Sequence, residues 1–236
     1  QGVDDNVGKV LDYLDDSGLA KDTIVIYSAD NGWYLGDLGL YDKRFMYEPG
    51  LSTPLLARGP GVKAGSVPAQ FVSNIDLAPT FLDLAGRPVP ASMQGLSLAP
   101  LLRGESPSDW RRSVYYRYYH DPGHHNTAAH LGVRTATHKL IHYWKKDAYE
   151  IFDLVKDPAE QHNLLHSAAD AQQPEIAAKF SELKAEIARL QKEYQDDGQY
   201  ADPATWPKSS ADGPFDQYQP IGTKTIAEAI SATSSK

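Results

Sequence analysis

The stretch that most restricts the fold runs from Thr23 to Gly32, T-I-V-I-Y-S-A-D-N-G. Thr23-Ile24-Val25-Ile26-Tyr27 is a short, β-branched apolar run without polar alternation. It reads as a strand covered on both faces, the kind found in the middle of a parallel sheet. A helix pattern precedes it: Val3, Val7, Val10, Leu11 and Leu14 recur at helical spacing, and Asp4, Asp5, Asp12, Asp15 and Asp16 fill the other face. Ser17-Gly18 supplies a glycine end. A helix feeding a buried strand is the second half of a βαβ unit, so the class is α/β with a mainly parallel sheet. Asp4-Asp5-Asn6 reads as a solvated first turn rather than a metal cluster.

The strand pattern ends in Ser28-Ala29-Asp30-Asn31-Gly32. Ligands bind at the carboxyl ends of strands in such folds, and Asp and Asn both offer hard oxygens to a divalent cation. Asp-Asn-Gly is equally a good turn, since all three residues tolerate a left-handed backbone; the tripeptide leaves both readings open. Gly32, Gly36 and Gly39 stud the next loop, and Asp42-Lys43-Arg44 follows among aromatic residues. Lys43 reads either as a point charge for an anionic group or as a side chain covering aromatic surface or paired with Asp42. For Arg44 the expectation is an ion pair with Glu48.

Further on, Ser52–Arg58 gives a short strand with Pro54 near its start, and Gly59-Pro60-Gly61 stops it. A helix runs through Leu84, with Pro79 in its first turn. Gln94 to Arg103 is a short loop and helix, and residues 104–108 form a linker. The remainder changes character. Val114–Tyr119, His130–Thr135, His138–Trp144 and Tyr149–Leu154 are four aromatic, β-branched runs with short gaps, as in an antiparallel sheet. Asp157-Pro158-Ala159-Glu160 starts a turn or a helix. Ile176, Phe180, Leu183, Ile187 and Leu190 mark an amphipathic helix ending near Gln195. Gly, Pro, Ser, Asp and Gln dominate thereafter, which predicts an irregular tail, disordered at its end. The expected division is 1–107, 108–196 and 197–236.

A net charge of -8 and a pI near 5.4 disfavour a nucleic-acid partner, which selects basic surfaces. The absence of cysteine excludes disulfides and thiolate metal sites. No run approaches the ~18 apolar residues of a membrane span, and no signal peptide is evident. The chain opens at Gln1-Gly2-Val3 inside a helical pattern, so a longer parent protein is expected. His120, His124, His125 and His130 crowd together, but without carboxylates at ligand spacing they match no standard zinc pattern.

The residues D-N-G-x-x-x-G-x-x-G-x-x-D-K-R-x-x-Y-E, Asp30 to Glu48, resemble the metal-and-sulfate loop of the sulfatases in the alkaline phosphatase superfamily. Three further stretches are similar to that family: N-x-D-x-x-P-T-x-L-x-L-A-G from Asn74, P-x-x-H-x-x-x-x-H-x-G-V-R from Pro122, and D-P-x-E-x-x-N-L from Asp157. The D-K-R-x-x-Y-E form is most similar to the N-acetylglucosamine-6-sulfatase branch. The resemblance implies the C-terminal half of an alkaline-phosphatase-like parallel-sheet sandwich plus a smaller antiparallel-sheet-and-helix domain. It implies hydrolysis of an O-sulfate ester on a sulfated carbohydrate, glucosamine 6-sulfate within that branch, by a parent protein that is periplasmic or secreted. Asp30 and Asn31 would bind Ca2+, Lys43 would act as the catalytic contact to sulfate, and His125, His130 and Arg134 would bind the sugar. Ala128-Ala129 departs from the basic residues that often precede the second His in that family. The family nucleophile is a formylglycine made in C/S-x-P-S-R; this chain lacks that motif, so it is expected in the parent. Two other readings stand beside this one: a phosphodiesterase or phosphonate monoester hydrolase of the same superfamily, and an inactive glycan-binding protein.

Overall fold

A computed structural model of the protein describes residues 1–121 and 123–198. Most of the tail expected from 197 onward, and Pro122 of the histidine segment, lie outside the described residues. Helix α1 spans Gly2–Asp16 and ends at Gly18, whose φ of 72° is the left-handed turn predicted for that glycine. Strand β1, Val25–Ser28, follows, then a two-stranded hairpin of β2, Tyr34–Leu35, and β3, Tyr41–Asp42. A single-turn helix α2, Glu48–Leu51, leads into β4, Leu55–Arg58. Helices α3, Leu77–Leu84, and α4, Ala99–Leu102, complete the first part.

One expectation is corrected here. The neighbour of β1 within this chain is not a parallel strand. β1 pairs antiparallel with β4, Val25 opposite Arg58 through Ser28 opposite Leu55, and Tyr27 and Leu56 are exposed. A uniform apolar run fixes that a strand forms; it does not fix how many neighbours it has or which way they run.

The second part is a four-stranded antiparallel sheet in the order β5, Ser113–Tyr118; β6, His130–Thr135; β7, His138–Tyr143; and β8, Ala148–Asp153. Each boundary lies within one residue of the expected run. Short helix α5, Ala168–Ala171, precedes the long helix α6, Pro174–Glu193.

Strand alternation gives this sheet two different faces. Leu131, Val133, Leu140 and Ile151 turn to one side and pack with Leu183, Ile187 and Leu190 of α6. Ile141, Tyr143 and Phe152 turn to the other and meet Tyr34, Phe45 and Met46 of the segment after β1. Gly132 is required on that second face: a Cβ there would stand 2.6 Å from the Met46 sulfur. The segment carrying Lys43 is thus clamped onto the sheet that carries Arg134.

Candidate active site

Asp30, Asn31, Lys43, Arg44, Ser73, Asn74, Tyr116, Tyr118 and Arg134 line one cavity of about 590 Å³. Its floor begins where β1 ends. Gly32 is needed there for close approach rather than for a left-handed turn: none of Asp30, Asn31 or Gly32 has a positive φ. A Cβ on Gly32 would lie 2.8 Å from the Ser52 carbonyl and closer still to that of Pro49, and the Gly32 N–H donates to the Gly50 carbonyl at 3.0 Å. The backbone of the Asp-Asn-Gly segment is therefore tied to α2. Asn74 ties it from the opposite side by donating from Nδ2 to the Asp30 carbonyl at 2.6 Å.

Those ties leave the two side chains available as oxygen donors. Among the described residues, the Asp30 carboxylate accepts only the neighbouring Asn31 N–H, at 3.1 Å. Asn31 spends its Nδ2 on the Gly32 carbonyl at 2.6 Å, which leaves its Oδ1 as the outward acceptor. Calcium takes six to eight oxygens. Two adjacent hard oxygens fit part of such a shell and not the whole. Among the described residues no three His, Cys, Asp or Glu side chains come together to hold an ion.

Lys43 also lines the cavity, with Nζ 5.2 Å from the centre of the Trp33 ring. It is not paired with Asp42, which forms an ion pair with Arg44 instead. The expected Arg44–Glu48 pair is thereby corrected: Arg44 is taken by its near neighbour, and its carbonyl accepts the Tyr116 hydroxyl at 2.6 Å. Glu48 turns away to Arg134, which approaches through Nε at 3.2 Å, and to Lys139, whose Nζ is at 2.9 Å.

Neither of the two histidines expected against a sugar is in the lining of this cavity. His125 is exposed and stands 3.8 Å from Asp42, outside the cavity lining. His130 is fully buried. Phe45, Tyr116 and Tyr143 surround its ring at 5.5 Å, and Tyr118 at 5.8 Å. Nδ1 donates to the Ala128 carbonyl at 2.8 Å, while Nε2 has no hydrogen-bond partner among the described residues. Burial pulls its pKa down from 6.5 to about 4. The cause is register: His130 opens β6 opposite Tyr118, on the face roofed by the aromatic segment.

Sequence reading missed a buried cluster of charges around Lys139. Lys139 is fully buried, with Glu48 on one side and Glu160 at 2.6 Å on the other. Burial pushes the Glu160 carboxyl up, against the pull of Lys139. Burial also works on Glu48, but Lys139 and Arg134 outweigh it and hold that carboxyl below its ordinary value. The one trace in the sequence is a lysine heading the apolar Leu140-Ile141; that it lies opposite Arg134 is a matter of strand register.

A family model described as N-sulphoglucosamine sulphohydrolase, C-terminal, matches residues 36–193. The N-acetylglucosamine-6-O-sulfatase of Bacteroides thetaiotaomicron is 43% identical over 198 residues, 82% of this chain and 34% of that protein. The human N-acetylglucosamine-6-sulfatase is 43% identical over 118 residues, 49% of this chain and 21% of that protein. This chain therefore spans about a third of the first relative and a fifth of the second. Among solved structures, one in complex with its substrate D-glucosamine-2-N,6-O-disulfate superimposes with a TM-score of 0.76 at 42% identity, covering 83% of this chain and 39% of that one. A phosphonate monoester hydrolase from Silicibacter pomeroyi gives 0.72 at 31% identity, covering 83% and 40%.

Proposed function

Because this chain belongs to the sulfatase family, with the alkaline-phosphatase-like fold of its structural neighbours, we propose that it forms one wall of the active site of a sulfuric ester hydrolase. The substrate we assign is a sulfated amino sugar, glucosamine 6-sulfate or its N-substituted forms. The observation that carries this reading is the convergence of Asp30, Asn31, Lys43 and Arg134 on one cavity. The two oxygen donors share the cavity with Lys43 and Arg134, while Arg44 is paired with Asp42 and Glu48 with Arg134; that suits an anionic ester that must meet both a metal and positive side chains.

The roles follow from chemistry. Charge develops on the sulfuryl oxygens and on the leaving alkoxide, and a fixed ammonium stabilises both. Lys43 supplies that ammonium; the indole of Trp33 beneath it limits its wandering. Arg134 offers a planar guanidinium for a second anionic group, since the sugar can carry an N-sulfate as well as the O-sulfate. Asp30 and Asn31 would supply two oxygens to a calcium ion, whose chemistry, when bound, is to polarise sulfate oxygens. The formylglycine nucleophile has no source here, since the chain has no cysteine and no S-x-P-S-R. His125 keeps a place in this proposal as an exposed rim residue. His130 acts only by packing the wall. An exported location, periplasmic or extracellular, fits a glycan substrate of this kind.

The test is release of inorganic sulfate from N-acetylglucosamine 6-sulfate by the protein that carries this chain. Phosphate diesters and phosphonate monoesters are assayed beside it, because the phosphonate hydrolase scaffold is also similar. Sulfate ester turnover is expected to dominate; dominant phosphoesterase turnover would overturn the assignment. Lys43→Ala is expected to lower kcat by about 10²–10³-fold, and near-normal turnover would reduce Lys43 to an aromatic cover. The 236-residue chain alone is expected to release no sulfate, and measurable hydrolysis would sink the argument about the nucleophile.

A further inference from the structure

Lys139 and Glu160 stand outside the cavity, yet both are buried and charged. Lys139 Nζ lies 2.9 Å from Glu48 Oε1 and 2.6 Å from Glu160 Oε1. The other Glu160 oxygen accepts the Glu48 backbone N–H at 2.7 Å. Glu160 thus holds Glu48 twice, through its backbone directly and through its side chain by way of Lys139. Glu48 in turn receives Arg134 Nε at 3.2 Å and Nη2 at 3.3 Å. Arg134 Nη1 donates to the Thr135 carbonyl at 2.9 Å, and the guanidinium lies 5.0 Å from the Phe71 ring. Three of the five guanidinium N–H donors are thereby committed, which fixes the plane of the group and leaves the rest for a ligand.

The turn that carries Glu160 is built to deliver it. Asp157 accepts the His162 N–H at 2.8 Å. Asn163 Oδ1 accepts the Ile151 and Leu165 N–H groups, each at 3.0 Å. Glu160 has a φ of 55°, a left-handed conformation unusual for glutamate. The D-P-x-E-x-x-N-L stretch, which the sequence leaves as mere architecture, folds around one inward carboxylate.

We propose that Lys139 and Glu160 are positioning residues: acting through Glu48, they hold the Arg134 guanidinium in the cavity for an anionic group of the substrate. This rests on the sulfatase reading above. The arrangement carries two positive and two negative groups, so it buries no net charge. Glu48 is shared between two cations, so Arg134 is oriented without being fully neutralised.

Two variants test the chain of contacts in the protein that carries it. Lys139→Met removes the shared cation and risks the fold. Glu160→Gln is milder: it keeps the volume, but its amide must present an NH₂ either to Lys139 or to the Glu48 N–H. With N-acetylglucosamine 6-sulfate, Glu160→Gln is expected to raise KM on the order of 10-fold or more, with kcat changed less. Glu160→Gln combined with Arg134→Ala should be no worse than Arg134→Ala alone, since both act through one group. Independent of activity, the Arg134 Nε–H resonance of the 236-residue chain should shift or broaden in Glu160→Gln. Unchanged KM with the resonance in place, or losses that add to those of Arg134→Ala, would overturn the positioning role. If the wild-type protein releases no sulfate from any ester, the sulfatase reading fails, and the resonance still decides whether Glu160 holds Arg134.

Discussion

The four-stranded sheet has two faces built from alternate residues of the same strands, and they are made of different materials. Against α6 lie Leu131, Val133, Leu140 and Ile151. Against the Tyr34–Glu48 segment lie His130, Arg134, Lys139, Tyr143 and Glu150 beside the apolar Ile141 and Phe152. The difference comes from what covers each face. A helix satisfies its own backbone, so the centre of the sheet beneath α6 needs only apolar area, and the polar contacts there, Ser113 with Glu186 and Arg117 with Asp196, sit on the edge strand β5. The other cover is irregular, and its N–H groups require side-chain acceptors, from within the segment or from outside it. Tyr34 Oη accepts the Tyr47 N–H at 3.1 Å, and Glu160 accepts that of Glu48 at 2.7 Å. Glu150 then accepts the Tyr47 hydroxyl at 2.7 Å and that of Tyr143 at 3.1 Å. A polar face is the consequence of roofing a sheet with a loop, and the loop is the segment that carries Lys43.

The comparison breaks most sharply at Lys139. Lys139→Met leaves Glu48 and Glu160 facing each other without their shared cation, and losing one partner of a buried ion set costs about 3–5 kcal/mol. Leu183→Ala on the α6 side removes a side chain that is 1% exposed and is expected to cost about 3 kcal/mol through a cavity. Urea unfolding of both variants ranks them. A Lys139→Met loss well below that of Leu183→Ala would mean that the polar face contributes shape rather than pairing.

The two faces were also unequally legible. The α6 face follows from periodicity alone: Ile176 to Leu190 recur at helical spacing, and the four strands fall within one residue of their runs. The loop face does not. Lys139 and Glu160 meet only because β6 and β7 place Lys139 opposite Arg134 and a left-handed residue turns Glu160 inward; neither is written in local pattern. The motif around Asp30 and Lys43 did announce cavity residues. The histidine motif announced a spacing, and burial of His130 followed from strand parity, which a motif does not encode. β1 shows the converse limit, where an apolar run gave the strand but not its neighbours.

A second way to separate the faces is pH, because the loop face seals His130 completely, whereas His138 and His142 on the α6 face are half-buried. The folded state keeps His130 neutral down to about 4, whereas an unfolded chain protonates it below 6.5. Between those values the unfolded state binds more protons, so stability is lost as pH falls through that window. At about pH 5 the loss amounts to about 2 kcal/mol. Glu150 and Glu160, both raised by burial, act in the opposite sense, so the informative quantity is the difference between wild type and His130→Phe. Phe fits among the same rings and does not titrate. Parallel stability curves for the two proteins from pH 7 to about pH 5 would show that His130 gains a proton inside the fold, contrary to its sealed cage.

The smallest change sharpens the comparison from the dry side. Ile187 is 6% exposed and packs under the sheet from α6. Ile187→Val deletes one methylene and should cost about 1 kcal/mol. Because Leu131 and Val133 lie between α6 and the loop face, the strands themselves must pass on any disturbance. A close-packed sheet whose ladder bonds stay intact absorbs a single missing methylene locally. The Arg134 Nε–H resonance should therefore stay where it is in Ile187→Val, although it moves in Glu160→Gln. A shift of similar size in both would mean that Arg134 reports the packing of the whole sheet and that the two faces are one mechanical unit.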